Sequence, residues 1–221
     1  MFALEGRFEF GQLSCMSATL SRSTEQDSSK HQLILDAAAD LFIAEGYGAV
    51  SMDAIARAAG VSKATLYAHF RSKDELFATI IREACQTNLA VRDFLPDDAD
   101  VRTALTRLGS RMLRFLLEDQ ALAIHRVVMS ESKRFPELGR AFYESGPKMF
   151  SSVFREWLAG QSRAGRLRAD DPGRMGEHFM GMLKSGVWTR AALGVAPPPS
   201  EEEIEATVNG AVEAFLRAYG G

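Results

Sequence analysis

Ser62, Lys63, Thr65, Tyr67 and His69 crowd into the stretch "SMDAIARAAGVSKATLYAHFRSKDEL", Ser51 to Leu76, with the small residues Ala64 and Ala68 between them. Hydroxyls, a cation and an imidazole at this density can serve catalysis or recognition. Catalysis needs more than they offer. No nucleophile–base arrangement, no metal-spaced His/Cys/Asp cluster and no Gly-rich phosphate loop after a strand is visible in the chain. The sequence therefore reads as a non-enzyme, with no cofactor and no metal site. Recognition of a polar surface remains.

Placed on a helix at about 100° per residue, Leu66 and Phe70 share one face of residues 63–70. The opposite arc carries Ala64, Thr65, Tyr67 and Ala68, flanked by Lys63 and His69. Such a face suits the major groove of double-stranded DNA. Small residues allow close approach, Thr65 can reach base edges, and Tyr67 and His69 can reach phosphate oxygens. Helix starts at Ser51 and Ser72 would present backbone N–H groups to phosphates, with Lys73 adding a cation. A purely structural three-helix unit is the alternative reading of this pattern.

The elements that must hold these residues are legible around them. Leu33, Ile34, Ala37, Ala38, Leu41 and Phe42 form one helical stripe, with Ser28 or Ser29 as cap and Gly46 as the left-handed stop. Ser51 caps a short helix with Met52, Ile55, Ala56 and Ala59 inward, and Gly60-Val61-Ser62 turns into the next. Ser72 with Glu75 makes a capping box for a long helix over 73–92. The pair 51–59 and 63–70 is a helix-turn-helix.

Helices are expected over roughly 101–118 and 120–131, then over a segment punctuated by Pro136 and Gly146-Pro147 that runs to about Ala164. A helix opening at Asp171-Pro172 should reach about Leu193, and a capping box of Ser200 with Glu203 starts the last, which ends at Gly220. No alternation of β period is sustained, so the fold is all-α. Residues 1–29, ending in "SATLSRSTEQDSS", are expected to be a disordered arm, and Met16 offers an alternative start. The helix-turn-helix domain covers 30–77, and a ligand-binding and dimerisation domain covers 78–221.

"EGYGAVSMDAIARAAGVSKATLYAHFRSKDELF" resembles the DNA-binding domain of the tetracycline-repressor (TetR) family of bacterial regulators. The likeness runs from about Leu33 to Phe77 and takes in Gly46, Ala59-Gly60-Val61-Ser62, Thr65-Leu66-Tyr67, His69-Phe70 and Lys73. It departs at Ala68, where larger residues are frequent. The resemblance implies a homodimer reading a pseudo-palindromic operator and a divergent helical domain that binds a small inducer. "RVVMSESKRFPELGRAFYESGP" is similar to a subgroup that includes efflux-gene repressors. The expected function is a ligand-responsive DNA-binding regulator, a repressor first. An activator of the same family, or a helical small-molecule-binding or interaction protein, is the alternative.

For DNA contact the residues are Ser51, Ser62, Lys63, Ala64, Thr65, Tyr67, His69 and Lys73. For an apolar or aromatic inducer they are His125, Arg126, Met129, Phe150, Trp157 and Phe179, types that a mostly apolar pocket with a few polar groups would use. The same aromatic and Met residues would serve equally as core. Met175, Phe179, Met182, Leu183 and Val187, then Ile204, Val208, Val212 and Phe215, form stripes that could pack across a two-fold axis or within one subunit.

Composition sets outer bounds. The 221 residues carry a net charge of −3, so DNA binding must rest on local arrangement of cations, not on their abundance. Cys15 and Cys85 are too few and too scattered for a disulfide framework and read as free thiols. No apolar run approaches the roughly 20 residues of a membrane span. Glu5, Arg7 and Glu9 interrupt any signal-peptide core, so a cytoplasmic location is expected.

Overall fold

The structure, a computed structural model, describes residues 13–89, 91–96, 100–168 and 171–221, with side chains from Ser28 onward except at 88–92. Helix α1 spans Leu13–Glu45, α2 Met52–Ala58, α3 Lys63–His69 and α4 Lys73–Leu89. The short α5, Val91–Phe94, leads to α6, Val101–Leu117, and α7, Asp119–Glu131. Helices α8, Pro136–Ser145, and α9, Pro147–Arg163, follow. The chain ends with α10, Pro172–Lys184, α11, Val187–Leu193, and α12, Glu201–Tyr219. The only β pairing among the described residues is an isolated bridge between Leu167 and Gly220.

Local chemistry explains most boundaries. Gly46, at φ 82°, stops α1, and its N–H donates to the Phe42 carbonyl. Ser51, Ser62 and Ser200 each accept an N–H from three residues on, and at Ser200 the box closes through Glu203. Pro136, Pro147 and Pro172 occupy first-turn positions, where a missing N–H costs nothing. At Ser72 the box is only half formed. Its hydroxyl accepts from Glu75 N–H, but the Glu75 carboxylate reaches past it to Arg71 N–H at 2.8 Å.

Two expectations about helix extent are corrected. α1 begins at Leu13, well upstream of Ser28 and Ser29, because no Gly or Pro interrupts the chain between there and Glu45. Of the arm expected over 1–29, residues 1–12 lie outside the described residues. The single helix expected from Pro172 to Leu193 is broken at Ser185-Gly186, where Gly186 takes φ 73° and redirects the chain into α11.

Two apolar clusters hold the fold. The first joins Ile34, Leu35, Ala38 and Phe42 of α1, Ile55 and Ala56 of α2, Leu66, Phe70, and Leu76, Phe77 and Ile81 of α4. Ile124 and Val128 of α7 and Leu138 of α8 belong to it as well, so the three-helix head is not a free-standing unit. The second packs α6, α9, α10 and α12 through Leu108, Phe154, Trp157, Phe179, Val212 and Phe215. Trp157 is buried there, with its indole N–H donating to the Pro96 carbonyl at 3.2 Å. Met175, Phe179, Leu183, Ile204, Val208, Val212 and Phe215 are all buried within this one chain. The stripes on the last helices are thus internal core.

Between α1 and α2 the turn 46–50 is held from both sides. The Glu131 carboxylate, ending α7, accepts the N–H groups of Tyr47 and Gly48, each at 2.8 Å. The Lys73 ammonium, opening α4, donates to the carbonyls of Tyr47 at 2.6 Å and Val50 at 2.8 Å and lies 4.2 Å from the Tyr47 ring centre. The Tyr47 hydroxyl donates to Asp74 at 2.8 Å; burial first, then this carboxylate, push the phenol pKa up and keep it a neutral donor. Close approach requires glycine here: a Cβ on Gly46 would collide with Glu131, and one on Gly48 would sit 2.6 Å from the Phe135 ring.

Glu131→Ala should therefore lower unfolding stability by about 1–3 kcal/mol, since two turn N–H groups lose a charged acceptor. Glu131→Gln, which keeps one acceptor oxygen, should lose less. Urea denaturation followed by circular dichroism measures both, and equal stability of Glu131→Ala and wild type would contradict the clamp. Trp157→Ala should cost about 3–5 kcal/mol in the same experiment, as expected of a core aromatic.

Candidate nucleic-acid interface and the cavity behind it

Helices α2 and α3 meet through a turn closed by Gly60 N–H to Arg57 O (3.2 Å) and Val61 N–H to Ala56 O (3.0 Å). Gly60 adopts φ 66°, and nothing lies within 4 Å of where its Cβ would be. Backbone conformation, not crowding, calls for glycine at that position. A helix as short as α3 is not stable alone. It is held by Leu66, which is fully buried, by Phe70 just past its end, and by the Ser62 cap. Burying two such side chains is worth about 4 kcal/mol.

The remaining faces of α3 turn outward. Tyr67 is 50% exposed, and Lys63, Ala64 and Ala68 are exposed beside it. Thr65 is half-buried: its backbone N–H reaches the Ser62 hydroxyl at 3.0 Å, and the two hydroxyls are 2.8 Å apart. Lys63 pairs with Asp53 of α2 at 2.5 Å, both side chains exposed, so the pair can be exchanged at little cost.

The other expected DNA contacts differ in orientation. His69 packs its ring against His31 at 5.8 Å and Phe70 at 6.2 Å, and His31 pairs with Glu83 at 2.8 Å. It leans toward α1 and α4, off the outward face. Lys73 points into the turn 46–50, where burial lowers its pKa against the pull of Glu131, Asp74 and Glu137. Ser51 is exposed, its hydroxyl accepting from Ala54 N–H at 3.1 Å. Ala64 and Tyr67, with Lys63 and Thr65 at the edges, thus form the common face.

Behind the head lies a cavity of about 270 Å³, walled by α4 and by α6 to α11. Of the expected ligand residues, His125 and Phe150 line it. Arg126 does not: its guanidinium donates to the carbonyls of Ala191 and Ala192, both at 2.8 Å, where α11 ends. Met129 is 70% exposed, while Trp157 and Phe179 are core. Helical spacing marked all of them alike, and only tertiary packing separates wall from core.

Phe142 lines the cavity as well, and residues the sequence reading missed complete the wall, among them Cys85, Phe115, Lys184 and Trp188. The His125 ring sits edge-on to Trp188 at 4.9 Å and to Phe142 at 5.7 Å, and burial, helped by Lys184, lowers its pKa. Burial pushes the Cys85 thiol up to about 11, so it is not a thiolate at neutral pH. Among the described residues no group of three or more His, Cys, Asp or Glu could hold a metal ion. No helix among them is long and apolar enough to cross a membrane.

Comparison with known proteins agrees with this geometry. Residues 34–80 match the family model for bacterial regulatory proteins of the tetR family, and residues 103–221 match the C-terminal domain of AefR-like transcriptional repressors. A TetR-family transcriptional regulator from Mesorhizobium loti superimposes with a TM-score of 0.76 at 30% identity, covering 88% of this chain and 98% of that one. The flavonoid-responsive regulator FrrA superimposes at 0.72 with 36% identity, covering 86% and 97%. The HTH-type transcriptional repressor Rv1474c of Mycobacterium tuberculosis is 25% identical over 175 residues, 79% of this chain and 89% of its own. With family models matched in both halves and a TetR-family regulator 30% identical over most of its length, the chain belongs to the TetR family of helix-turn-helix transcriptional regulators.

Proposed function

We propose that the chain is a homodimeric cytoplasmic repressor that holds a pseudo-palindromic operator through α3 and releases it when a small apolar or aromatic molecule fills the cavity. The observation that carries the reading is the division of α3: Leu66 fixes it from within while Ala64, Tyr67 and Ala68 stay exposed among the described residues. Lys63 and Tyr67 serve phosphates, and Thr65 reads base edges beside the small Ala64. Ser51 and Ser62 aim their helix starts at the backbone. Lys73 acts by fixing the turn that sets the angle of α2, and His69 supports α3 from its inner side.

The cavity wall supports release by ligand. His125 and Glu131 stand on the same helix, about 9 Å apart along its axis; one faces the cavity and the other grips the head. Helix α4 does the same with Ile81 and Cys85 at the cavity and Lys73 on the turn. A ligand that favours a displaced α4 or α7 lowers operator affinity by its differential affinity for that state alone. The flavonoid-responsive relative supports an aromatic inducer.

For the dimer, the apolar stripes of α10 and α12 are used within the subunit, so the outward face must serve. Ala206, Gly210, Ala214 and Ala218 repeat every fourth residue along the exposed side of α12, and Gly181 is open on α10. Small residues let helices approach closely across a two-fold axis.

Selection of bound sequences from random DNA, followed by fluorescence anisotropy at several salt concentrations, tests the reading. Tyr67→Ala should weaken binding to every selected sequence, and Thr65→Ala should relax preference at one or two base pairs by about 1–3 kcal/mol. Half-site centres should lie roughly 34 Å apart or a multiple of that. Undiminished affinity of Tyr67→Ala at moderate salt would overturn the contact assignment. Met129→Ala should leave ligand-driven release as in wild type, because Met129 faces solvent.

A further inference from the structure

Lys184 closes α10 and lines the cavity, with its ammonium 4.2 Å over the ring of Trp188, another wall residue. Among the described residues no ion pair engages it. Desolvation lowers its pKa, and no carboxylate acts in the opposite direction. Lys73, the half-buried ammonium at the turn 46–50, is by contrast matched by two carbonyls and by the Glu131 charge. A half-buried ammonium with only an aromatic face beside it is the unmatched one.

The surroundings define what would match it. Phe115, Phe142, Phe150 and Trp188 supply flat apolar walls, with Met112 and Met180 as adaptable ones. His125 touches both Trp188 and Phe142, and burial with the neighbouring Lys184 charge keeps its imidazole neutral. A neutral imidazole adds a hydrogen bond without competing for a negative charge. Glu118 is the one acidic residue of the lining and lies exposed at the α6–α7 junction. The local field at the α10 end of the cavity is therefore positive, within an aromatic enclosure.

We infer that the molecule received by this cavity has an aromatic body and one anionic oxygen group, a carboxylate or phenolate, and that Lys184 pairs with that group while His125 orients it. The inference rests on the reading of the cavity as the inducer site and narrows it from apolar to acidic ligands. A snorkelling lysine that only shields Trp188 predicts no such preference.

The test uses the full chain and matched probes: naphthoate, biphenylcarboxylate and cinnamate, each beside its neutral amide. Binding is read by calorimetry and by quenching of tryptophan fluorescence. At least one carboxylate should bind wild type at least about tenfold tighter than its amide, the ratio a charge-assisted hydrogen bond gives in a desolvated site. Lys184→Met should bring that ratio close to one with amide affinity retained, and Lys184→Arg should restore the preference. Thermal unfolding of Lys184→Met at or above the wild-type midpoint excludes a folding defect, because the substitution removes a desolvated charge. Equal binding of acid and amide, binding of neither in every pair, or a preference that survives Lys184→Met would each overturn the pairing. Release of selected operator DNA is measured in parallel. A carboxylate that binds through Lys184 without releasing DNA upholds the pairing and overturns induction through this cavity.

Discussion

The grip on the turn 46–50 is the constraint from which the rest of the molecule follows. Helix α3 is too short to orient itself, and it takes its direction from α2, whose start is set by that turn. The turn is anchored mainly by side chains from outside it. The N–H groups of Tyr47 and Gly48 go to Glu131 and the carbonyls of Tyr47 and Val50 to Lys73, so α7 and α4 fix the backbone of the head. Glycines at 46 and 48 leave room for Glu131 and Phe135 to come this close. Remove the grip and the buried cluster around Phe42, Tyr47 and Phe77 still attracts the head to α4. What is lost is the angle.

Angle matters more than attraction in a molecule of this charge. With a net charge of −3 the protein has no general electrostatic hold on DNA. Two of its cations near the reading face are already engaged: Lys63 with Asp53, and Lys73 with the turn. Exposed pairs such as Lys63–Asp53 hold weakly and can yield to a phosphate, whereas Lys73 has carbonyl partners in a half-buried place. Affinity in the proposed complex then depends on several modest contacts falling into register together.

How far the sequence discloses this structure depends on how local each cause is. The caps at Ser51, Ser62 and Ser200 involve residues three apart and are readable as such. So is the inward pair Leu66 and Phe70, since a two-turn helix has only one face to bury. The break at Ser185-Gly186 is less readable, because a lone Gly inside an apolar pattern is tolerated as often as it breaks a helix. Its purpose appears only in three dimensions, where Trp188 folds back onto His125 and Lys184. Trp157 and Phe150, a few residues apart on α9, show the same limit. One is core with its N–H on Pro96, the other is wall, and their spacing does not distinguish them. Glu131, the residue that couples the halves, meets partners 83 and 84 positions away and carries no motif.

Helix α10 shows how the cavity and the proposed dimer are linked. Its inner residues Phe179 and Leu183 are locked in the core, Met180 and Lys184 face the cavity, and Gly181 is open to the outside. A helix used on every side cannot shift for one neighbour without shifting for the others, because packed interiors are dense and deform little. An occupant that draws Lys184 inward therefore acts on two structures at once. Through the cavity it presses on α4 and α7, which hold the turn of its own head. Through the outward face of α10 it would also act on the helix pairing of the proposed dimer, which would set the distance between the two heads. In the proposed mechanism operator release would need no large movement in either place, since a pseudo-palindromic site sets both the tilt of each head and the spacing between them.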